Sequence, residues 1–189
     1  IAAGQALIGM PGLRCVVPNL PRMITPFVLR EQGDWFEDEV RFVRKALAPG
    51  ETAIDVGANF GVYALSLAAA VGPTGRVVAF EPARTTHRYV SESRDRLGFG
   101  WLSIERRALS DHHGTATFHH GSSPELSSLH ALAGGGGQET VELGTLDDLA
   151  PGLADQHVAL VKIDAEGEEV RILDGASRLL RDHQPLLLV

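Results

Sequence analysis

The chain reads as an α/β protein built on a doubly wound, mostly parallel sheet, and three observations predict this. Short apolar runs at 52–56, 76–80 and 101–105 alternate with helix-forming stretches at 62–71 and 82–98. That alternation is the pattern of parallel strands joined by crossover helices. The first run ends in a carboxylate and a glycine turn, Asp55-Val56-Gly57-Ala58-Asn59-Phe60-Gly61, which leads directly into a helix. Finally, 189 residues with 44% hydrophobic and 22% charged side chains suffice for one domain with a buried core.

Each element can be justified in order. Residues 1–34 contain Pro11, Pro18, Pro21 and Pro26 and read as short strands and turns packed ahead of the main domain, 35–189. Over 35–47, Phe36, Val40, Val43 and Leu47 are spaced four, three and four apart. This is a helical period, and Pro49-Gly50 ends it. The strand at 52–56 feeds the glycine turn, and Gly72-Pro73 stops the helix that follows. After the strand at 76–80, Pro82 sits at a favoured first helical position and Gly98 closes the helix. Residues 114–118 alternate as a hairpin arm does. Residues 121–138, rich in Ser and Gly, read as a mobile loop over the site. Thr145 and Asp148 mark a helix start as cap and partner. The run 158–163 is a buried strand. Residues 167–180 are a helix, and 186–189 open a further strand on which the sequence stops, so the sheet is expected to be truncated.

Composition excludes some partners. The net charge is −7 with no basic cluster, so nucleic acid and anionic membranes are not expected partners. No apolar run approaches the ~20 residues of a membrane span, and no signal peptide is visible, so a cytoplasmic location is expected. The single cysteine, Cys15, reads as a small buried hydrophobe and excludes an internal disulfide. The pairs His112-His113 and His119-His120 put neighbours on opposite faces of extended chain, so no metal site is expected.

The chemistry concentrates at the glycine turn. Glycines let a backbone pass close to a ligand, and Asn59 is among the few residues that tolerate a left-handed turn. Glu81 ends the next strand, 24 residues after Gly57. An acidic residue about 20 residues beyond such a turn bonds ribose hydroxyls in nucleotide-binding sheets. The dinucleotide fingerprint fails, however, because Asn59 and Val62 stand where glycines are needed. Asp55 would repel a pyrophosphate but attract the ammonium and sulfonium of S-adenosylmethionine. That cofactor is therefore expected rather than NAD.

Four motifs then occur in order: Asp-Val-Gly-Ala-Asn-Phe-Gly at 55–61, Phe80-Glu81-Pro82, Thr145-Leu146-Asp147-Asp148-Leu149 and Lys162-Ile163-Asp164-Ala165-Glu166-Gly167. Glu169, Leu173 and Gly175-Ala176 follow in the next helix. In these the sequence resembles the FkbM family of S-adenosylmethionine-dependent methyltransferases over about 35–189. The resemblance implies the class I methyltransferase (Rossmann-like) fold of seven strands, with this chain ending in the fifth. It also implies methyl transfer, mostly to oxygen, on a small polar acceptor such as a sugar or secondary metabolite. It places Asp55, Gly57, Ala58, Asn59 and Gly61 around the methionine part of the cofactor and Glu81 on its ribose. Arg107, Ala108 and Leu109 would line the adenine pocket, with Asp111 the candidate for an acidic adenine contact.

Asp164 ends the fourth strand, and ligands of open parallel sheets sit beyond the carboxyl ends of strands. Asp55, Glu81 and Asp164 are thus expected on one rim, with Asp164 orienting the acceptor hydroxyl or holding the cofactor ammonium. Glu166 either joins it or caps the following helix. Lys162, inside the strand, is expected to pair with a carboxylate. His130, in the 121–138 loop, is a third catalytic candidate as a proton acceptor. The alternatives are nitrogen methylation, an NAD-type oxidoreductase, and a cofactor-binding domain without turnover.

Overall fold

Thr52–Val56 and Val158–Ile163 are buried almost throughout because they form the middle of a five-stranded parallel sheet. The structure, a computed structural model, describes residues 2–20, 22–121, 127–130, 136–153 and 156–189. In chain order the elements are β1 (Gln5–Met10), β2 (Leu13–Pro18), α1 (Ile24–Gln32), α2 (Asp38–Ala46), β3 (Thr52–Val56), α3 (Val62–Val71), β4 (Arg76–Phe80) and α4 (Arg84–Leu97). Then come β5 (Leu102–Glu105), β6 (Ala108–Leu109), β7 (Gly114–His120), β8 (Gly137–Gly144), a 3-10 segment Leu146–Leu153, β9 (Val158–Ile163), α5 (Glu169–Asp174), α6 (Ser177–His183) and β10 (Leu186–Leu188). The central order is β10-β9-β3-β4-β5, every pair parallel. All five strands therefore end on one rim.

Alternation along the strands sorts side chains into two layers. Ala53, Val77, Ala79 and Leu160 face a core shared with α3, α4 and the β1–β2 hairpin. Ile54, Val56, Val78, Phe80, Val161 and Ile163 face the opposite core, with Leu146, Ile172 and Leu179. Helix α3 is apolar on nearly every side because α2 and the hairpin cover the face that the sheet does not. Cys15 is buried in that layer, and burial pushes its thiol up to about 12. It is an inert packing residue, as read.

Five features depart from the sequence reading, one being that α4 begins at Arg84 with Ala83 as its N-cap, so that Pro82 precedes the helix rather than opening it. Residues 24–32 form α1, not turns. Pro26 is tolerated because it sits in the first helical turn, where its missing N–H had no intrahelical acceptor. The helix read at 35–47 begins only at Asp38, and residues 35–37 remain non-helical. The helix read at 167–180 is two short helices, split because Gly175 crosses the backbone of Ser110. A Cβ on Gly175 would lie 2.2 Å from the Ser110 carbonyl oxygen. Within the expected 121–138 loop, Gly137 and Gln138 open strand β8, which pairs antiparallel with β7. Residues 122–126 and 131–135 of that loop lie outside the described residues. At Thr145 the expected cap partner is present, with Asp148 Oδ2 accepting the Thr145 amide at 3.0 Å.

Candidate active site

The rim is built from three strand tips, a glycine turn and two left-handed non-glycine residues, Asn59 and Glu166. At the tip of β3, Asp55 is directly opposite Lys162 in the β3–β9 register, so both side chains project to the same face. Lys162 Nζ lies 3.2 Å from Asp55 Oδ1, and Asp55 is fully buried. Among the described residues no well-aligned hydrogen bond reaches either Asp55 oxygen, and the Lys162 ammonium is the charge that holds them. Burial drives the Asp55 carboxyl above its usual value, and the Lys162 charge opposes that rise. Asp55 lines neither of the cavities described below: it lies beneath the floor, committed to Lys162, rather than on the surface where a cofactor would touch it. The expected pairing of Lys162 with a carboxylate is what the structure has. Its ammonium also donates to the Gly57 carbonyl at 3.1 Å and lies 3.7 Å from Asp164 Oδ2.

The glycines of the turn serve close packing more than ligand approach. Gly57 has φ +78°, and a Cβ there would sit 1.9 Å from the Asp164 carbonyl oxygen. Gly61, at φ +92°, would meet Val90 of α4 at 2.4 Å. Between them Asn59 takes a left-handed conformation, φ 52°, as expected of the residue type. This aims its amide at Glu81 Oε2, 2.7 Å away. Glu81 Oε1 accepts the Ala83 amide at 3.0 Å and the Thr86 hydroxyl at 2.6 Å. Burial raises the Glu81 carboxyl, and the Thr86, Asn59 and Ala83 donors pull it back only in part.

Two of the cavities at this rim share a wall. The first, about 610 Å³ including its open mouth, has Glu81 on one wall and Phe80, Pro82, Ala108, Leu109, Phe118 and Leu129 as apolar surroundings. Arg107 lines it with its guanidinium already engaged, 2.8 Å from Glu105 and over the Phe80 ring. The second, about 780 Å³, lies between residues 24–37 and α3, with Trp35, Phe36, Phe60 and Tyr63 in its walls. Gly57, Asn59, Asp164 and Glu166 line both. Asn59 Oδ1 is buried at this junction without a partner, an acceptor left for a ligand donor.

The remaining predicted residues divide. Ala58 lines the second cavity. Asp164 is largely exposed at the junction. Glu166 stands there in a left-handed conformation, φ 50°. Burial first, then the Asp164 and Glu169 charges, raise its carboxyl. The cap of the turn before α5 is instead Glu169, whose carboxylate accepts the Ala165 and Gly167 amides. Gly61 lines neither cavity, and Asp111 turns to His112 and Ser110. His130 also lines neither cavity. Its Nε2 is 3.2 Å from the Gly167 carbonyl and 3.2 Å from Glu168 Oε2, outside the junction. The sequence reading missed Glu168, a buried carboxylate lining the first cavity and accepting the Ser110 hydroxyl at 2.7 Å. It also missed the short strap 127–130, in which Ser128 pairs with His119 and donates to the Glu166 carbonyl at 2.8 Å. Glu168 stands beside recognised motif residues, but its inward direction depends on where Ser110 arrives from β6.

The sequence family described as "Methyltransferase FkbM domain" matches residues 55–189, well over half of the chain. The chain belongs to the FkbM methyltransferase family. A search of curated proteins finds no match to it. Among solved structures it is similar to cofactor-bound Rv0187 from MTB (20% identity, 78% of this chain and 53% of that one, TM-score 0.46). Others are a SAM-dependent methyltransferase from Aquifex aeolicus (27%, 43% and 41%, 0.35) and a SAM-dependent O-methyltransferase from Thermotoga maritima (21%, 54% and 40%, 0.37). The match spans about half of each of these proteins or less. The sheet of this family member is the five-stranded parallel one described above, in the order β10-β9-β3-β4-β5.

The cofactor that goes with FkbM membership is S-adenosylmethionine, and the rim fits it on observations of this chain alone. Glu81 presents to the first cavity a carboxylate fixed by three donors, the kind of acceptor that a ribose hydroxyl requires. The walls at Ala108, Leu109, Phe118 and Leu129 are apolar, as an adenine face requires. Asp164 and Glu166 supply negative charge beside the unpartnered Asn59 oxygen. A pyrophosphate does not fit. Among the described residues four carboxylates line the first cavity, and the one cation there, Arg107, is paired with Glu105 and Asp148. Among the described residues no helix is long and apolar enough to cross a membrane.

Proposed function

We propose that this FkbM-family chain transfers a methyl group from S-adenosylmethionine to a hydroxyl oxygen of a small acceptor. The nucleoside would lie in the first cavity and the acceptor in the second. The observation that carries this reading is the sharing of Gly57, Asn59, Asp164 and Glu166 by both cavities, so that two ligands can meet across one wall. When bound, S-adenosylmethionine supplies an electrophilic methyl on a sulfonium. The chain's work is to hold, orient and take a proton. Glu81 anchors the ribose end, and Asn59 Oδ1 offers an acceptor at the junction. The wall formed by residues 24–37 keeps the acceptor against α3. Asp164, exposed at the junction, accepts the hydroxyl proton as the oxygen forms its new bond to carbon and the carbon–sulfur bond breaks, leaving S-adenosylhomocysteine. Positioning of this kind supplies a large part of the barrier reduction, and proton acceptance adds typically about 10²–10⁴-fold.

Oxygen rather than nitrogen is favoured because a carboxylate stands at the junction to take the proton that a neutral hydroxyl must lose. Glu166, raised by burial and by its acidic neighbours, sits beside Asp164 as the second carboxylate there. Calorimetric titration with S-adenosylmethionine, S-adenosylhomocysteine and NAD tests the donor half. The first two should bind with 1:1 stoichiometry and NAD should not, whereas tighter binding of NAD would overturn the reading.

A further inference from the structure

The second cavity is walled by residues that the family match does not include. Ile24, Thr25, Trp35, Phe36 and Glu37 all precede residue 55, yet they line the face opposite Asn59 and Asp164. This wall is fixed in place. Asp34 receives two hydrogen bonds from Arg44, at 2.7 and 2.8 Å, and Arg44 also donates to Ser66 of α3. Burial opposes ionisation of Asp34, but Arg44 and the Trp35 amide together hold its carboxyl below the usual range. At the other end of the segment the Tyr63 hydroxyl of α3 donates to Glu37 Oε2 at 2.6 Å. Burial and the Glu37 carboxylate push the Tyr63 hydroxyl far up, so it stays a donor.

The charges in this cavity are unequal. Glu37, Asp164 and Glu166 line it, against Lys162 alone. Lys162 is compensated from below by Asp55. Its ammonium also lies 5.0 Å from the Tyr63 ring centroid, drawn toward the inner wall. The other walls are aromatic: Trp35 and Phe36 meet at a 5.0 Å centroid distance, and the Trp35 indole N–H is buried with no acceptor. Such a cavity offers an apolar face for a ring and an unused donor, and among the described residues it has no free cation for an anionic group.

We infer that this cavity takes a hydroxyl compound that carries no anionic group, its flat face against Trp35 and Phe36, and that Glu37 is the residue that enforces the exclusion. Like charge across a closed contact costs enough to discriminate. Glu37 is the only one of the three carboxylates contributed by the 24–37 wall. Asp164 and Glu166 also line the first cavity, so they are shared with the donor side. The inference rests on the methyl-donor reading above, because the junction defines which cavity receives the acceptor.

The test uses the full chain saturated with S-adenosylhomocysteine and three probes of one shape. They are 4-(hydroxymethyl)benzamide, 4-(hydroxymethyl)benzoate and 4-(aminomethyl)benzyl alcohol, titrated calorimetrically. The neutral and cationic probes should bind, and the benzoate should bind at least about tenfold more weakly. Glu37→Gln keeps an acceptor for Tyr63 and should close most of that gap. Trp35→Ala should weaken the neutral probe while leaving S-adenosylhomocysteine affinity unchanged. Equal or tighter binding of the benzoate, a gap that persists in Glu37→Gln, or no binding of the neutral probe at millimolar concentration would each overturn the inference. Failure of S-adenosylhomocysteine itself to bind would instead overturn the donor reading, and this inference with it.

Discussion

The tips of β3 and β4 are neighbours in the sheet, and each ends near a buried carboxylate, yet the two are put to opposite uses. Asp55 at the β3 tip is fully buried and is held chiefly by the Lys162 ammonium. Glu81 just beyond β4 is nearly as buried but accepts two amides and a hydroxyl, and it forms part of a cavity wall. The difference is one of strand phase. Asp55 lies within the strand, on the face where its cross-strand neighbour is a lysine, so its charge is consumed in the core layer. Glu81 lies one residue past the strand, where the chain turns and free amides converge on it. A buried carboxylate held by amides keeps lone pairs for a ligand, whereas one held by a single ammonium mainly keeps that ammonium in place.

The comparison can be broken most severely at β3. Lys162→Met leaves Asp55 buried and unpaired, and removing one partner of a buried pair costs about 3–5 kcal/mol. Urea unfolding should show that loss, and Asp55→Asn combined with Lys162→Met should recover much of it. A Lys162→Met protein as stable as the parent would mean that Asp55 does not carry its charge in the folded state.

The next largest effect is expected at the third tip, that of β9. Asp164→Asn preserves shape and removes the proton acceptor. Turnover at saturating S-adenosylmethionine should fall by about 10²–10⁴-fold, with Glu166→Gln milder. Methylation rates and calorimetry on the same preparations separate this from binding. A large loss of cofactor affinity with little change in turnover would reassign Asp164 to the cofactor ammonium.

At β4 the effect should be on binding and not on folding. Glu81→Gln should weaken S-adenosylhomocysteine by about 1.5–3 kcal/mol, the range for a hydrogen bond to a charged group. Its unfolding midpoint should shift far less than that of Lys162→Met. Matching losses of stability at the two tips would erase the distinction drawn between them.

The smallest effect sharpens the same point through pH. The Glu81 carboxyl is raised in the folded chain, chiefly by burial. Ribose hydroxyls need its anionic form, so S-adenosylhomocysteine affinity should rise as pH rises through the raised value and then level off. The stability of the unliganded chain moves the other way. A folded pKa above the unfolded one contributes stability below the ordinary carboxylate value, and that contribution is lost as pH rises through the folded one. Calorimetry across pH on parent and Glu81→Gln should show the affinity slope only in the parent.

The sequence by itself determined the order of parallel strands and crossover helices along the chain, the glycine turn and Glu81 at the second tip. These are local facts, set by period, turn chemistry and spacing within a few tens of residues. It also determined that Cys15 is a packing residue. What only the tertiary structure decided were relations between distant segments. Asp55 lies under the floor because the β3–β9 register, joining residues more than a hundred positions apart, sets Lys162 beside it. Gly57 and Gly61 are glycines because Asp164 and Val90 cross them, and Gly175 because Ser110 does. The wall at 24–37 becomes part of a cavity only when Asp34 and Glu37 reach α3 through Arg44 and Tyr63. Period and propensity act along the chain, whereas register, close crossings and cavity walls depend on which segments meet, and packing fixes that only once the whole core has formed.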